Sequence, residues 1–315
     1  MSSPLPGFHR EKPFGLTRRE VLRTLTAALA TVQAPAALAR SSGPLLWLAS
    51  KGRGRVYLFP IAEAKDRSWY MTKVRQAFEA SKELWLELGA PPTQERLSAL
   101  YEELGHESSG RTFFDALDPA TKVRALRYLK ELDISRESIA PLRPWLAYYT
   151  LVTAFDAKFG HSEGFTKSGP EQTPPEYVLA AEAVKEHKAI QVEFTMEAWI
   201  RALASMSDHL QSEYLDWLFD WFEDERKGLN RDKYDWMHGR LVARTMIRMQ
   251  KLYPDLYEFM DGQRDRWWAR QVSRLLAQGG TYFVAIGQDH FADPLGIPTQ
   301  LRKLGVLSPS ELELT

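Results

Sequence analysis

The sequence predicts an α+β fold, a helix-rich single domain around a small mixed β-sheet. Three observations predict it. Short apolar runs that read as strands lie far apart along the chain, long stretches with helical apolar spacing separate them, and no repeat of solenoid period links them. A chain of 315 residues, 44% hydrophobic and 12% aromatic, can bury the core such a fold needs.

The first element is a leader. Residues 1–39 contain Thr17, Arg18, Arg19, Val21, Leu22 and Arg23, then a mildly apolar stretch, then Ala37-Leu38-Ala39. A charged segment, an apolar segment too short to span a bilayer and a small-residue cleavage site make this an expected twin-arginine export signal. Cleavage after Ala39 would release residues 40–315 as a periplasmic domain with a helical insertion. The leader carries a net charge of +3, so the remainder of this formally neutral chain carries −3. No later apolar run is long enough for a transmembrane helix.

"LLWLASKGRGRVYLFPI" reads as two strands joined by a Gly-rich turn, a β-hairpin. Gly52 and Gly54 do not open a dinucleotide-binding loop, because no helix with a third glycine follows. "WYMTKVRQAFEAS" is helical and "ELWLELG" is a third strand, a crossover that predicts a parallel pair, with Glu87 near the strand's carboxyl end. The next hundred residues carry helical spacing in "ALDPATKVRALRYLKELDI" and "LRPWLAYYTLVTAF", and are expected to cover one side of the sheet. "KAIQVEF" is a fourth strand, ending in Glu193 and Phe194. Long helices then run to "LAQGG", where Gly279 and Gly280 supply a stop.

Composition excludes several function classes. With 41 basic and 41 acidic residues, the chain as a whole has no electrostatic footprint for nucleic acid. The absence of cysteine removes disulfides, thiolate catalysis and cysteine-ligated metal sites. No Gly-x-Ser-x-Gly elbow occurs. Glu103 and His106 form a lone Glu-x-x-His without the further carboxylates of a di-iron bundle, and read as a loop. Asp216 and Asp220, one helical turn apart, read as the solvated face of an amphipathic helix rather than as paired catalytic acids. His9, His161, His187, His209 and His238 lack metal-ligand spacing.

The carboxyl-terminal stretch "TYFVAIGQDHFADPLGIPTQLRKLGV" differs in kind. Tyr282 to Ile286 form a buried strand, Gly287 ends it, and His290 follows at the carboxyl end, where open sheets place ligands. An ordinary hydrogen-bonded structural histidine is the competing reading.

Taken in order, these segments resemble the TraB/GumN family. The strand-turn-strand opening, "RPWLAYYTL", "IQVEFTMEAW", "DWMHG", "QRDRWWARQV" and "FVAIGQDHF" are similar to successive family motifs over roughly residues 44 to 307. Asp265 replaces the asparagine of the family's Arg-Asn-x-x-Trp-Ala helix. The first Gly-x-x-His is degenerate, because Pro60-Ile61-Ala62-Glu63 stands in its place.

The resemblance implies a site of strand-end residues that supports metal-dependent hydrolysis or proteolysis in some members. Carried over, it falls on Glu87, Arg264 and His290, with Glu63 where the first histidine would be. In one reading Glu63, Glu87 and His290 hold a divalent metal ion and Arg264 stabilises a developing oxyanion. In the other, the same residues form a buried salt-bridge network, and the protein binds a peptide or an envelope component without appreciable catalysis.

Overall fold

The computed structural model describes residues 43–62, 67–108, 110–159, 174–228, 232–241, 243–291, 294–306 and 312–314. The expected export signal and Glu63 lie outside these residues. The described chain is an α+β domain whose strands are β1 (Trp47–Lys51), β2 (Gly54–Ile61), β3 (Glu83–Leu88), β4 (Ala189–Phe194), β5 (Gly280–Gly287) and β6 (Leu312–Leu314). They form one mixed sheet in the order β4-β3-β5-β2-β1-β6.

β1 and β2 make the antiparallel hairpin, Trp47 opposite Leu58 and Lys51 opposite Gly54. β2 and β3 are parallel, as the crossover through α1 (Thr72–Glu79) predicts, but they do not touch. β5 lies between them and pairs in parallel with both. Its residues Tyr282 to Ile286 are all buried, which is why it reads as continuously apolar rather than alternating. Because β2, β5, β3 and β4 all run the same way, their carboxyl ends form one edge. Pro60 is tolerated in β2 because its only ladder partner is Ile286 of β5, β1 having no residue opposite it.

The helices are α2 (Gln94–Leu104), α3 (Pro119–Glu131), α4 (Arg136–Ile139), α5 (Pro144–Phe159), α6 (Pro175–Lys185), α7 (Met196–Ala204), α8 (Asp208–Arg226), α9 (Asp232–Met237), α10 (Ala243–Leu252), α11 (Pro254–Tyr257), α12 (Gln263–Gln278) and α13 (Ile297–Lys303). The pleat divides the sheet into two cores. Val56, Leu58, Tyr282, Val284 and Ile286 pack on Trp268, Val272 and Leu276 of α12 and on Ile297 and Leu301 of α13. Phe59, Leu84, Phe283 and Ala285, on the other face, meet Val74 and Phe78 of α1 and Val178 and Leu179 of α6.

Most of the helices between β3 and β4 do not cover the sheet as expected. α3, α4 and α5 join α8 in a separate core of Tyr128, Leu129, Phe155, Leu215, Phe219 and Phe222. Aromatic pairing explains this: Phe155 stacks on Phe222 at 4.0 Å and Tyr128 on Phe219 at 4.7 Å. The acidic face of α8 is not solvated either. Asp220 accepts from Arg124, Arg248 and the Tyr253 hydroxyl at 2.6, 2.9 and 2.9 Å. Asp216 accepts from Arg124 and Thr121. Glu103 is in α2 rather than a loop and pairs with Arg201. Among the described residues no helix is long and apolar enough to cross a membrane.

Candidate functional site

The parallel edge delivers three carried-over residues to one place. Glu87 is the second-last residue of β3, His290 lies in a 3-10 turn (Gln288–Phe291) directly after β5, and Arg264 is in the first turn of α12. Arg264 Nη2 is 2.7 Å from Glu87 Oε1, and His290 Nε2 is 3.9 Å from that same oxygen. Glu63, the fourth candidate, lies outside the described residues.

Arg264 is 8% exposed and almost fully engaged. Its Nε and Nη2 donate to the two oxygens of Glu193 at 3.0 and 2.8 Å, a bidentate fork, while Nη1 donates to the Met260 carbonyl at 3.1 Å. Phe194 and Trp199 lie within 5.7 and 5.3 Å of the guanidinium. The Trp268 indole N–H donates to Glu193 Oε2 at 2.8 Å. The second oxygen of Glu87 accepts the Gly287 backbone N–H at 3.0 Å. Burial opposes charge on both partners. Arg264 and His290 nevertheless hold Glu87 well below the usual carboxylate range, and Glu87 and Glu193 raise Arg264 above the usual guanidinium value.

His290 has no solvent exposure. Its Nδ1 is 2.8 Å from Asp265 Oδ1 and 3.9 Å from Asp261 Oδ1. Burial and Arg264 disfavour an imidazolium, but the hydrogen bond to Asp265 and the carboxylate of Glu87 outweigh them and hold the His290 pKa well above its usual value. Burial, followed by the charge of Asp289, pushes Asp261 up to about 8, and burial pushes Asp265 up to about 6 despite His290. The cluster therefore holds more acid than its cations neutralise.

Local sequence explains the placement. Asp261 is the second-last residue of a π-helical segment (Glu258–Gly262) that feeds into α12, and such wide turns recur where side chains are re-aimed for function. Gly287 gives the two carboxylates room, because a Cβ there would lie 2.4 Å from Asp289 Oδ1 and 3.2 Å from Glu87 Oε2 and would push both aside. Pro60 has a role as well, its carbonyl accepting the Trp236 indole N–H at 2.7 Å.

The residues fit a divalent metal ion. With Asp265 on Nδ1, Nε2 is the nitrogen a metal would take, once the imidazolium that Asp265 and Glu87 favour gives up its Nε2 proton. Nε2 is buried without a hydrogen-bond partner. One ligand atom each from Asp261, Asp289 and His290 lie within 4.8 Å of one another.

Sequence reasoning missed Glu193, Asp261 and Asp289 as site residues and noted Asp265 only as a replacement. One signal was present: Asp261 and Asp265 are four apart, so a helical segment aims both one way.

A protein-family model, the TraB/PrgY/gumN family, matches residues 45–308. Comparisons with curated proteins and with solved structures give no match.

Proposed function

This chain belongs to the TraB/PrgY/gumN family, and on that premise we propose that it is an exported member with little or no catalysis, binding a peptide or another envelope component. The observation that carries this reading is the ion pairing of Glu87. A carboxylate whose two oxygens accept from Arg264 and from the Gly287 N–H is poorly placed to act as general base or to give up its partners to a metal. Arg264 is likewise held by Glu193, which limits its use as an oxyanion donor. The loss of the first Gly-x-x-His agrees with this.

The unpartnered Nε2 of His290 favours a second reading, a metal-dependent hydrolase or peptidase using Glu63, Glu87, Arg264 and His290. The two are separated by incubating the mature protein, loaded with Mn2+ or Zn2+, with a library of random decapeptides and analysing bound and free fractions by mass spectrometry. Intact peptide in the bound fraction is expected. Cleavage that needs the metal and disappears in His290→Ala would establish the hydrolase. For export, changing Arg18 and Arg19 to Lys is expected to leave the precursor in the cytoplasm, and processing that continues unchanged would exclude the twin-arginine route.

A further inference from the structure

We propose that the outer edge of β4 pairs with β4 of a second copy of this chain, antiparallel and two-fold symmetric about Gln191, so that two sheets join into one.

The unpaired side of β4 can be assigned residue by residue. The Phe194 carbonyl accepts the N–H of Gly89, the residue after β3, at 2.9 Å. Phe194 therefore turns its backbone groups toward β3, and by the alternation of a strand so do Val192 and Ile190. Ala189, Gln191 and Glu193 turn theirs outward. Their N–H and C=O groups have no hydrogen-bond partner among the described residues, and Ala189 and Gln191 are exposed. The usual protections of an edge are missing: β4 is six residues long and has no proline, and its one charge, Glu193, is turned to Arg264. β6, at the other end of the sheet, is only three residues long.

The occupant follows from the symmetry of the strand itself. With Gln191 opposite its own copy, Ala189 faces Glu193 of the second copy and Glu193 faces Ala189, so every outward N–H meets an outward C=O. Moving the two-fold axis by one residue either way leaves Ala189 or Glu193 facing chain beyond β4. The side chains agree with this register. On one face the half-buried Ile190 lies beside Val192 of the second copy, and Val192 beside Ile190, which extends the apolar core under α6. On the other face glutamine meets glutamine and Glu193 meets alanine, so no like charges stand opposite each other. α6 lies over β3 and β4 and exposes Tyr177 and Val184, and the two-fold brings it beside its counterpart. An isologous contact of this kind closes as a dimer and does not propagate. Because Glu193 also holds Arg264, the pairing would brace the strand that carries one wall of the site.

The test is sedimentation velocity of the purified protein over about 1–100 µM, where a reversible dimer with a Kd below about 10 µM is expected. Gln191→Pro should weaken the dimer at least tenfold. Its fold should survive, with unchanged circular dichroism, because the N–H it removes points away from the sheet. The chain has no cysteine, so Gln191→Cys supplies a second measurement that does not depend on the proline variant. The two Cα atoms across a hydrogen-bonded antiparallel pair are about 5.5 Å apart, within disulfide reach, and mild oxidation should give a covalent dimer. Ala189→Cys should not cross-link, since its counterpart lies four residues along, roughly 13 Å away. A monomer throughout the concentration range, a dimer that persists in Gln191→Pro, or equal cross-linking of the two cysteine variants would overturn the proposal. An edge that takes up extended peptides while the protein stays monomeric would overturn it as well, in favour of a peptide partner.

Discussion

At the scale of single residues, Arg264 decides the state of the site. It faces two carboxylates, the half-buried Glu87, whose side chain is 24% exposed, and Glu193, whose side chain is 4% exposed. Removing a partner from a buried ion pair leaves uncompensated charge, so Arg264→Met should lower stability by about 3–5 kcal/mol. Arg264→Lys should fall between this variant and the parent, because an ammonium keeps the charge but cannot form the fork on Glu193. Urea denaturation midpoints check both. Equal stability of the methionine variant and the parent would mean that the cluster contributes nothing to folding.

Among the elements, the cross-link of α3, α8 and α10 shows why the acidic face of α8 is structural. Asp220 joins Arg124 of α3 to Arg248 of α10 and also accepts the Tyr253 hydroxyl, with only 13% of its side chain exposed. Asp220→Ala should cost about 2 kcal/mol, since it removes a charged acceptor shared by two guanidinium groups and a phenol, while Arg124 keeps Asp216 and Arg248 keeps Asp224. Glu223 pairs with Arg127, itself 55% exposed, so Glu223→Ala should cost less than about 1 kcal/mol. Chemical denaturation of the two variants side by side tests the ranking, and the reverse order would contradict it.

For the molecule as a whole, the buried phenols set an alkaline limit. Tyr148 and Tyr214 stack with ring centroids 4.3 Å apart and planes 4° from parallel. Burial pushes Tyr148 up to about 12 and Tyr214 well above the usual phenol value. In the unfolded chain each phenol loses its proton near pH 10, while the folded state retains it. Unfolding in that window therefore releases protons, and stability should fall as pH rises above about 10, by up to about 1.4 kcal/mol per pH unit for each phenol. Melting temperature against pH, followed with phenolate absorbance, checks this. Tyr148→Phe should make the loss shallower without moving its onset, because Tyr214 still titrates from about pH 10 in the unfolded chain, and a melting temperature unchanged between pH 9 and about 11.5 would rule the mechanism out.

The sequence by itself marked β1 to β5, the hairpin and the parallel direction of β2 and β3, but not β6. Continuous apolar runs such as 282–286 mark buried strands, the Gly-rich turn marks a hairpin, and Gly279 at φ 73° ends α12 where a side chain would be strained. Because these signals are local, Glu87 and His290 could be placed at strand ends from pattern alone. Only the tertiary structure decided that β5 enters between β2 and β3, since strand order depends on which apolar faces pack together rather than on any local run. That insertion brings Glu87 and the Gly287 N–H within bonding distance across two hundred residues. It also decided that Arg264 is committed to Glu87 and Glu193 while His290 Nε2 is left unpartnered, a difference of charge pairing and burial that residue spacing does not encode.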